Sequence, residues 1–245
     1  MRISVELVPR SATAVLRDAS FIRERIPWVT MLNIPDLLRF SLRSWHACAH
    51  TASVFASSIP HVRAIDISPH APLPMAETLR SAGITEVLVV GGDPPHDIDQ
   101  VAYPQTSIDI IRRFKKELPN LTVYAAVDPY RQGFRAERDY ISRKLEAGAD
   151  GFFTQPFFDR RLLELYAELL DGEVVFWGIT PVVTSGTRAY WETTNRALFP
   201  RGFEPTMEWN RAFARDALQL VKSMNSNAYL MPIRVDLAEY LDGLM

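Results

Sequence analysis

Eight short apolar runs recur along the chain, nearly every one followed by a stretch of helical period, and that alternation constrains the fold more than any other feature. The runs are Ile3 to Val8, Trp28 to Ile34, Val62 to Ile67, Glu86 to Val90, Thr122 to Val127, Gly151 to Thr154, Val174 to Ile179 and Asn227 to Ile233. Between them lie predicted helices, among them Ala12 to Arg25, Leu37 to Val54, Pro74 to Ala82, Ser107 to Leu118 and Arg135 to Ala147. Three more follow, Arg160 to Leu170, about Met207 to Met224 and Leu237 to Met245, whereas Thr184 to Pro205 is less regular. Strict alternation of strand and helix means parallel strands. An open doubly wound sheet satisfies the same order. Eight repeats in 245 residues favour the closed α/β form, a single (β/α)8 TIM barrel spanning residues 1–245 with no linker.

Composition narrows the function classes. With 47% hydrophobic residues the chain can bury one large core, and a formal charge of −2 leaves no basic footprint for nucleic acid. Cys48 is the single cysteine, so no disulfide scaffold is possible. No apolar run approaches the ~20 residues that span a bilayer, and Glu6 interrupts any signal-peptide core. The expectation is a cytoplasmic enzyme without a membrane partner; a homo-oligomer is left open.

In such a barrel the chemistry sits at the C-terminal ends of the strands. Glu6 lies among Val5, Leu7 and Val8 in a strand that should be buried on both sides. Burial lifts a carboxyl pKa toward neutrality, which suits a general acid; a structural charge paired with a neighbouring Arg or Lys is the competing explanation. Strand 4 runs into Gly91-Gly92-Asp93-Pro94-Pro95. There Gly92 allows close approach of a ligand to the backbone, Asp93 presents a carboxylate, and the prolines stiffen the loop. No Gly-Lys-Ser/Thr follows, so it is not a phosphate loop. Strand 6 ends in Thr154-Gln155-Pro156-Phe157-Phe158-Asp159. Gln155 offers a donor and an acceptor to a heteroaromatic edge, Phe158 a ring to stack on its face, and Asp159 a helix N-cap. His61 falls just before strand 3 or at its first residue, and Asp66 near its end.

Other features have plainer explanations. His46 and His50 flank Cys48 at helical spacing but have no third ligand nearby, so no metal site is expected. His96-Asp97-Ile98-Asp99 reads as a solvated loop, and Arg112, Arg113, Lys115 and Lys116 as the polar face of a helix.

These residues, taken in order, resemble the methylenetetrahydrofolate reductase family. The matching pieces are Ser4-Val5-Glu6 with Pro9, His61 to Asp66, Gly92-Asp93-Pro94-Pro95, and Arg143-Lys144 with Ala147-Gly148-Ala149-Asp150. Thr154-Gln155 with Phe157-Phe158-Asp159, then Gly178-Ile179-Thr180-Pro181-Val182, complete the order. The resemblance implies a (β/α)8 barrel that reduces 5,10-methylenetetrahydrofolate to 5-methyltetrahydrofolate with NADH or NADPH. It implies that Glu6 protonates the folate nitrogen and that Asp93 and Gln155 pair with the pterin edge. It further implies folate contacts for Arg234 after strand 8 and for Asn33, which sits in an Asn-x-x-Asp segment on strand 2. His61, Arg143 and Lys144 match family positions for FAD.

Other flavin positions depart from the family. Gly91 stands where an arginine is usual, Val127 where a tyrosine is, and Glu137 and Tyr140 where an aspartate and an asparagine are. Short members of the family pass hydride directly from nicotinamide to folate, so FAD remains open at this stage. The alternative function is a tetrahydrofolate-binding barrel without redox activity, serving methyl transfer or a larger assembly. The segment from Thr184 to Pro205 is a candidate lid, with Trp191 and Phe199 as stacking residues.

Overall fold

The computed structural model describes residues 1–94 and 101–245, so Pro95 and the His96-Asp97-Ile98-Asp99 loop lie outside the described residues. Eight strands, β1 (Ile3–Glu6), β2 (Met31–Ile34), β3 (Ser58–Arg63), β4 (Glu86–Val90), β5 (Thr122–Val127), β6 (Gly151–Pro156), β7 (Val175–Ile179) and β8 (Asn227–Leu230), pair in sequence order. All pairings are parallel, and β8 returns to β1 with Val5 opposite Leu230, closing the barrel. The helices are α1 (Ala12–Arg25), α2 (Ser44–Thr51), α3 (Ala76–Ser81), α4 (Ser107–Glu117) and α5 (Phe134–Glu146), then α6 (Arg160–Leu169), α7 (Ser185–Thr193), α8 (Met207–Ser223) and α9 (Leu237–Leu241). The α/β reading is therefore right, and the barrel form with it.

Local chemistry marks where the helices begin. Ser11, Thr106, Asp159, Thr184, Thr206 and Asp236 each accept a backbone N–H in the first turn of the following helix. Each such cap contributes about 1 kcal/mol. Two apolar layers then hold the barrel. The outer one packs strand residues such as Val5, Leu32, Val87 and Val123 against the helices. The inner one fills the barrel with Met31, Ile59, Leu88, Phe153, Phe176 and Tyr229. Phe153 and Phe176 stack 4.1 Å apart. At the N-terminal end of the strands, Arg2 grips Glu86, which also accepts from Ser57 and Tyr124. That end is plugged, and space remains at the other.

Several boundaries depart from the sequence expectation by a few residues, and three departures bear on the site. Strand 3 runs from Ser58, so His61 lies inside it, and Asp66 falls in the 3₁₀ turn Ala64–Asp66 beyond its end. The apolar stretch from Val62 hid this, because Pro60 reads as a strand breaker. The helix expected over Leu37 to Val54 begins only at Ser44, because Asp36 accepts from the Ser44 backbone and pairs with Arg43, holding residues 37–43 in turns. The less regular segment contains α7. No helix among the described residues is long and apolar enough to cross a membrane.

Candidate active site

A cavity of about 330 Å³ opens among the C-terminal ends of the strands. Its floor is lined by Glu6, His61, Leu88, Phe153, Gln155 and Tyr229. Its mouth is lined by Arg39, Thr187, Tyr190, Trp191, Asn195 and Arg234. Among the described residues, two arginines at the mouth and a single carboxyl at the floor give the opening a cationic rim.

Glu6 is the last residue of β1, in register with Asn33 on β2. Its carboxyl accepts the hydroxyl hydrogen of Tyr229 from β8. Removal from water pushes its pKa up to about 7, and the Tyr229 hydrogen bond holds it back from going higher. The competing explanation for a carboxylate here was a structural ion pair. Among the described residues Glu6 makes no salt bridge with any Arg or Lys, so it stands in the cavity as an acid with one neutral partner.

His61 sits on β3, its Nε2 3.1 Å from the Asn33 side-chain nitrogen, while Ser4 Oγ donates to Asn33 Oδ1 at 2.9 Å. Burial lowers the imidazole pKa to about 3, so the ring is neutral and Nε2 accepts from Asn33. The sequence placed Asn33 and His61 through family positions alone. The fold brings both to the barrel interior beside Glu6.

Gln155 reaches the cavity by ordinary alternation, two residues after the inward-facing Phe153 on β6. The register between β6 and β7 shifts between Phe153 and Pro156. Thr154, between Phe153 and Gln155, also borders the cavity there, and its hydroxyl accepts from the Gly178 backbone at 2.8 Å. The partner strand accommodates the shift because Gly178 has no side chain. A Cβ there would stand 2.5 Å from the Thr154 carbonyl oxygen.

Several expected site residues lie elsewhere. Phe158 is fully buried and does not line the cavity; it packs against Trp191 and Phe199, with ring centroids 5.5 and 4.3 Å away, and so braces Trp191 from behind. Of the two aromatic lid candidates, Trp191 lines the cavity and Phe199 belongs to that supporting cluster. Gly92 takes a positive φ of 90°, and a Cβ there would run into the Ile65 and Arg63 side chains. Asp93 is exposed, its backbone carbonyl held by Arg63 at 2.7 Å. Neither is among the lining residues.

Arg143 and Lys144 lie on α5, behind the barrel wall. Lys144 is buried, donates to the Ala126 carbonyl at 2.5 Å and rests 3.9 Å from the Tyr140 ring centroid. Arg143 is exposed over the other part of that ring. Arg234 does line the mouth, in a left-handed conformation with φ of 58° and its guanidinium 5.9 Å from Tyr190.

Sequence reasoning missed Tyr229, Arg39, Tyr190 and Asn195. Tyr229 carried a signal: it is a phenol inside a strand predicted to be buried, and such a hydroxyl needs a partner. Arg39 and Asn195 carried none, since loop residues acquire a direction only once the barrel is built. His46 and His50 point outward from α2 while Cys48 points inward, so the three do not converge.

The family model for methylenetetrahydrofolate reductase matches residues 42–186, more than half of the chain. The chain is similar to methylenetetrahydrofolate reductase (NADH) 1 of Arabidopsis thaliana, 29% identical over 101 residues that cover 34% of this chain and 17% of that protein. It thus spans about a sixth of that relative's length in the matched region. Among solved structures, 2,3-dimethylmalate lyase shares the fold with a TM-score of 0.60 at 10% identity, covering 96% of this chain and 75% of that one. Oxaloacetate acetylhydrolase does so with a TM-score of 0.58 at 10% identity, covering 95% and 75%. At that identity both show the barrel and nothing of the chemistry. The family match, together with its order along the barrel, places this chain in the methylenetetrahydrofolate reductase family.

Proposed function

We propose that the chain reduces the methylene group of 5,10-methylenetetrahydrofolate to a methyl group, with hydride supplied by NADH or NADPH. The observation that carries this reading is Glu6, an acid with its pKa pushed up to about 7 on the floor of a cavity in this family's barrel. A general acid works best when its pKa lies near the operating pH. Glu6 would protonate N10 as the bridge opens to the N5 iminium, and hydride from nicotinamide C4 would add to the iminium carbon. NADH, one proton and methylenetetrahydrofolate then become NAD⁺ and methyltetrahydrofolate. Gln155 would pair with the pterin edge, and Phe153 and Trp191 would supply apolar and aromatic walls. The cationic rim, Arg39 and Arg234, suits the carboxylates of the folate tail. Asp93, exposed outside the cavity lining, is given no step.

The resemblance raises FAD as a hydride relay; of the matched positions only His61 reaches the cavity, and those on α5 do not fit it. Lys144, matched to a flavin position, spends its ammonium on the Ala126 carbonyl and the Tyr140 ring. Tyr140 in turn bonds Ser107 at 2.8 Å, and the fully buried Glu137 accepts from the Asp128 backbone and Gln132. These groups satisfy one another behind the wall, and none lines the cavity. We therefore route no step through a flavin. The test is NAD(P)H oxidation by the purified protein with and without methylenetetrahydrofolate. Folate-dependent oxidation supports the reading. Folate binding without oxidation would favour the non-redox alternative.

A further inference from the structure

Ser4, Asn33 and His61 form one directed chain. Ser4 Oγ donates to Asn33 Oδ1, which fixes the orientation of the Asn33 amide. Its NH₂ group then faces the neutral His61 Nε2 at 3.1 Å. The Tyr229 hydroxyl, beside this pair, donates its hydrogen to Glu6 Oε2. Four strands, β1, β2, β3 and β8, thereby supply the polar groups around one carboxyl. Tyr229 is itself locked, with its ring edge-on to Phe153 at 5.3 Å and to His61 at 6.4 Å.

We propose that Tyr229 is a positioning residue for proton delivery: held edge-on by Phe153 and His61, it pins one Glu6 oxygen and leaves the other free for the cavity. This rests on the reading of Glu6 as the proton donor. The hydrogen bond favours the carboxylate, so it sets the pH at which Glu6 releases its proton as well as the direction in which it points. Burial gives the larger push, upward, and among the described residues no other charged group near Glu6 shares the opposing control with Tyr229. His61 on β3 is neutral, Asn33 and Ser4 are uncharged, and Arg39 and Arg234 are exposed at the mouth, where water screens them. Tyr229 stays protonated because burial and the neighbouring carboxylate both raise its pKa well above the ordinary phenol value.

The test reads Glu6 directly in the intact protein without ligands, from the infrared C=O stretch of its protonated carboxyl, identified by subtracting the Glu6→Gln spectrum. The parent titrates near pH 7. In Tyr229→Phe, which preserves the ring, the midpoint rises by about one pH unit, the effect of losing one hydrogen bond to a charged acceptor. Replacing Tyr229 with 3-fluorotyrosine, a stronger donor, lowers the midpoint. A midpoint unmoved in both proteins would overturn the proposal. The alkaline limb of kcat/KM should follow the infrared midpoint in each. Moved midpoints with no folate-dependent turnover would leave the Tyr229 assignment standing and sink the proposed reaction instead.

Discussion

Glu6 and His61 face one cavity from β1 and β3, and burial drives them in opposite directions, the carboxyl up from 4.5 to about 7 and the imidazole down from 6.5 to about 3. Each shift is also a statement about stability. The folded state holds the Glu6 proton more tightly than the unfolded chain, so that stability is present below pH 4.5 and lost as pH rises through about 7. The folded state resists protonation of His61, so that stability is present above pH 6.5 and lost as pH falls through about 3. Between 4.5 and 6.5 the two slopes cancel. Glu6→Gln leaves the His61 slope uncompensated, so its stability rises with pH across that window. Relative to the parent, it gains on the order of 3 kcal/mol between pH 4 and pH 8. Urea unfolding at a series of pH values measures this, and parallel pH curves for the two proteins would contradict it.

The same substitution removes the proton donor. Glu6→Gln should lower kcat by about 10²- to 10⁴-fold, the usual worth of a positioned acid, with a smaller change in KM. In the parent, kcat/KM should fall above pH about 7, as Glu6 ionises. An alkaline limb unchanged by Glu6→Gln would place the acid elsewhere.

Gly178 connects packing to substrate binding. Gly178→Ala puts a methyl group against the Thr154 carbonyl and the Gln155 backbone. The two strands must part, at a cost of about 1–3 kcal/mol, and KM for the folate should rise several-fold as Gln155 moves. A variant with parental stability and KM would show that the close packing at Gly178 does not position Gln155.

Lys144 is a structural cation in this account. Lys144→Ala should lose about 2–5 kcal/mol of stability, through the void under Tyr140 and the loss of compensation for the buried Glu137. KM for NADH should stay within two-fold of the parent. Equilibrium unfolding and steady-state kinetics on one preparation separate these effects, and a large rise in KM at unchanged stability would return Lys144 to cofactor binding.

Much of the architecture was legible because the barrel repeats one rule eight times. Glu86–Val90 and Thr122–Val127 are strands at the residues their apolar runs mark, and α1 begins after Ser11 where a cap belongs. Pro60 concealed the start of β3 because a ladder-breaking residue is tolerated where its neighbours keep the pairing. At the site, Glu6 was legible as a charge out of place in a buried strand, and Gln155 as an amide at a strand's end. Phe158 looked like a ligand platform because sequence cannot tell which of two adjacent aromatics faces a cavity. Here neither Phe157 nor Phe158 does; the turn after β6 sends both into the packing. Lys144 could not be read either, since its partner is a backbone carbonyl that has no sequence signature.

The central claim is direct reduction of a folate methylene group by nicotinamide. It is tested by incubating the purified protein with methylenetetrahydrofolate and NADH deuterated at C4, while recording the absorbance spectrum. The account predicts no flavin band and one deuterium in the methyl group of the product, transferred without exchange with water. A flavin band that bleaches with NADH and returns with folate would contradict direct transfer, and absence of any labelled product would contradict the reduction itself.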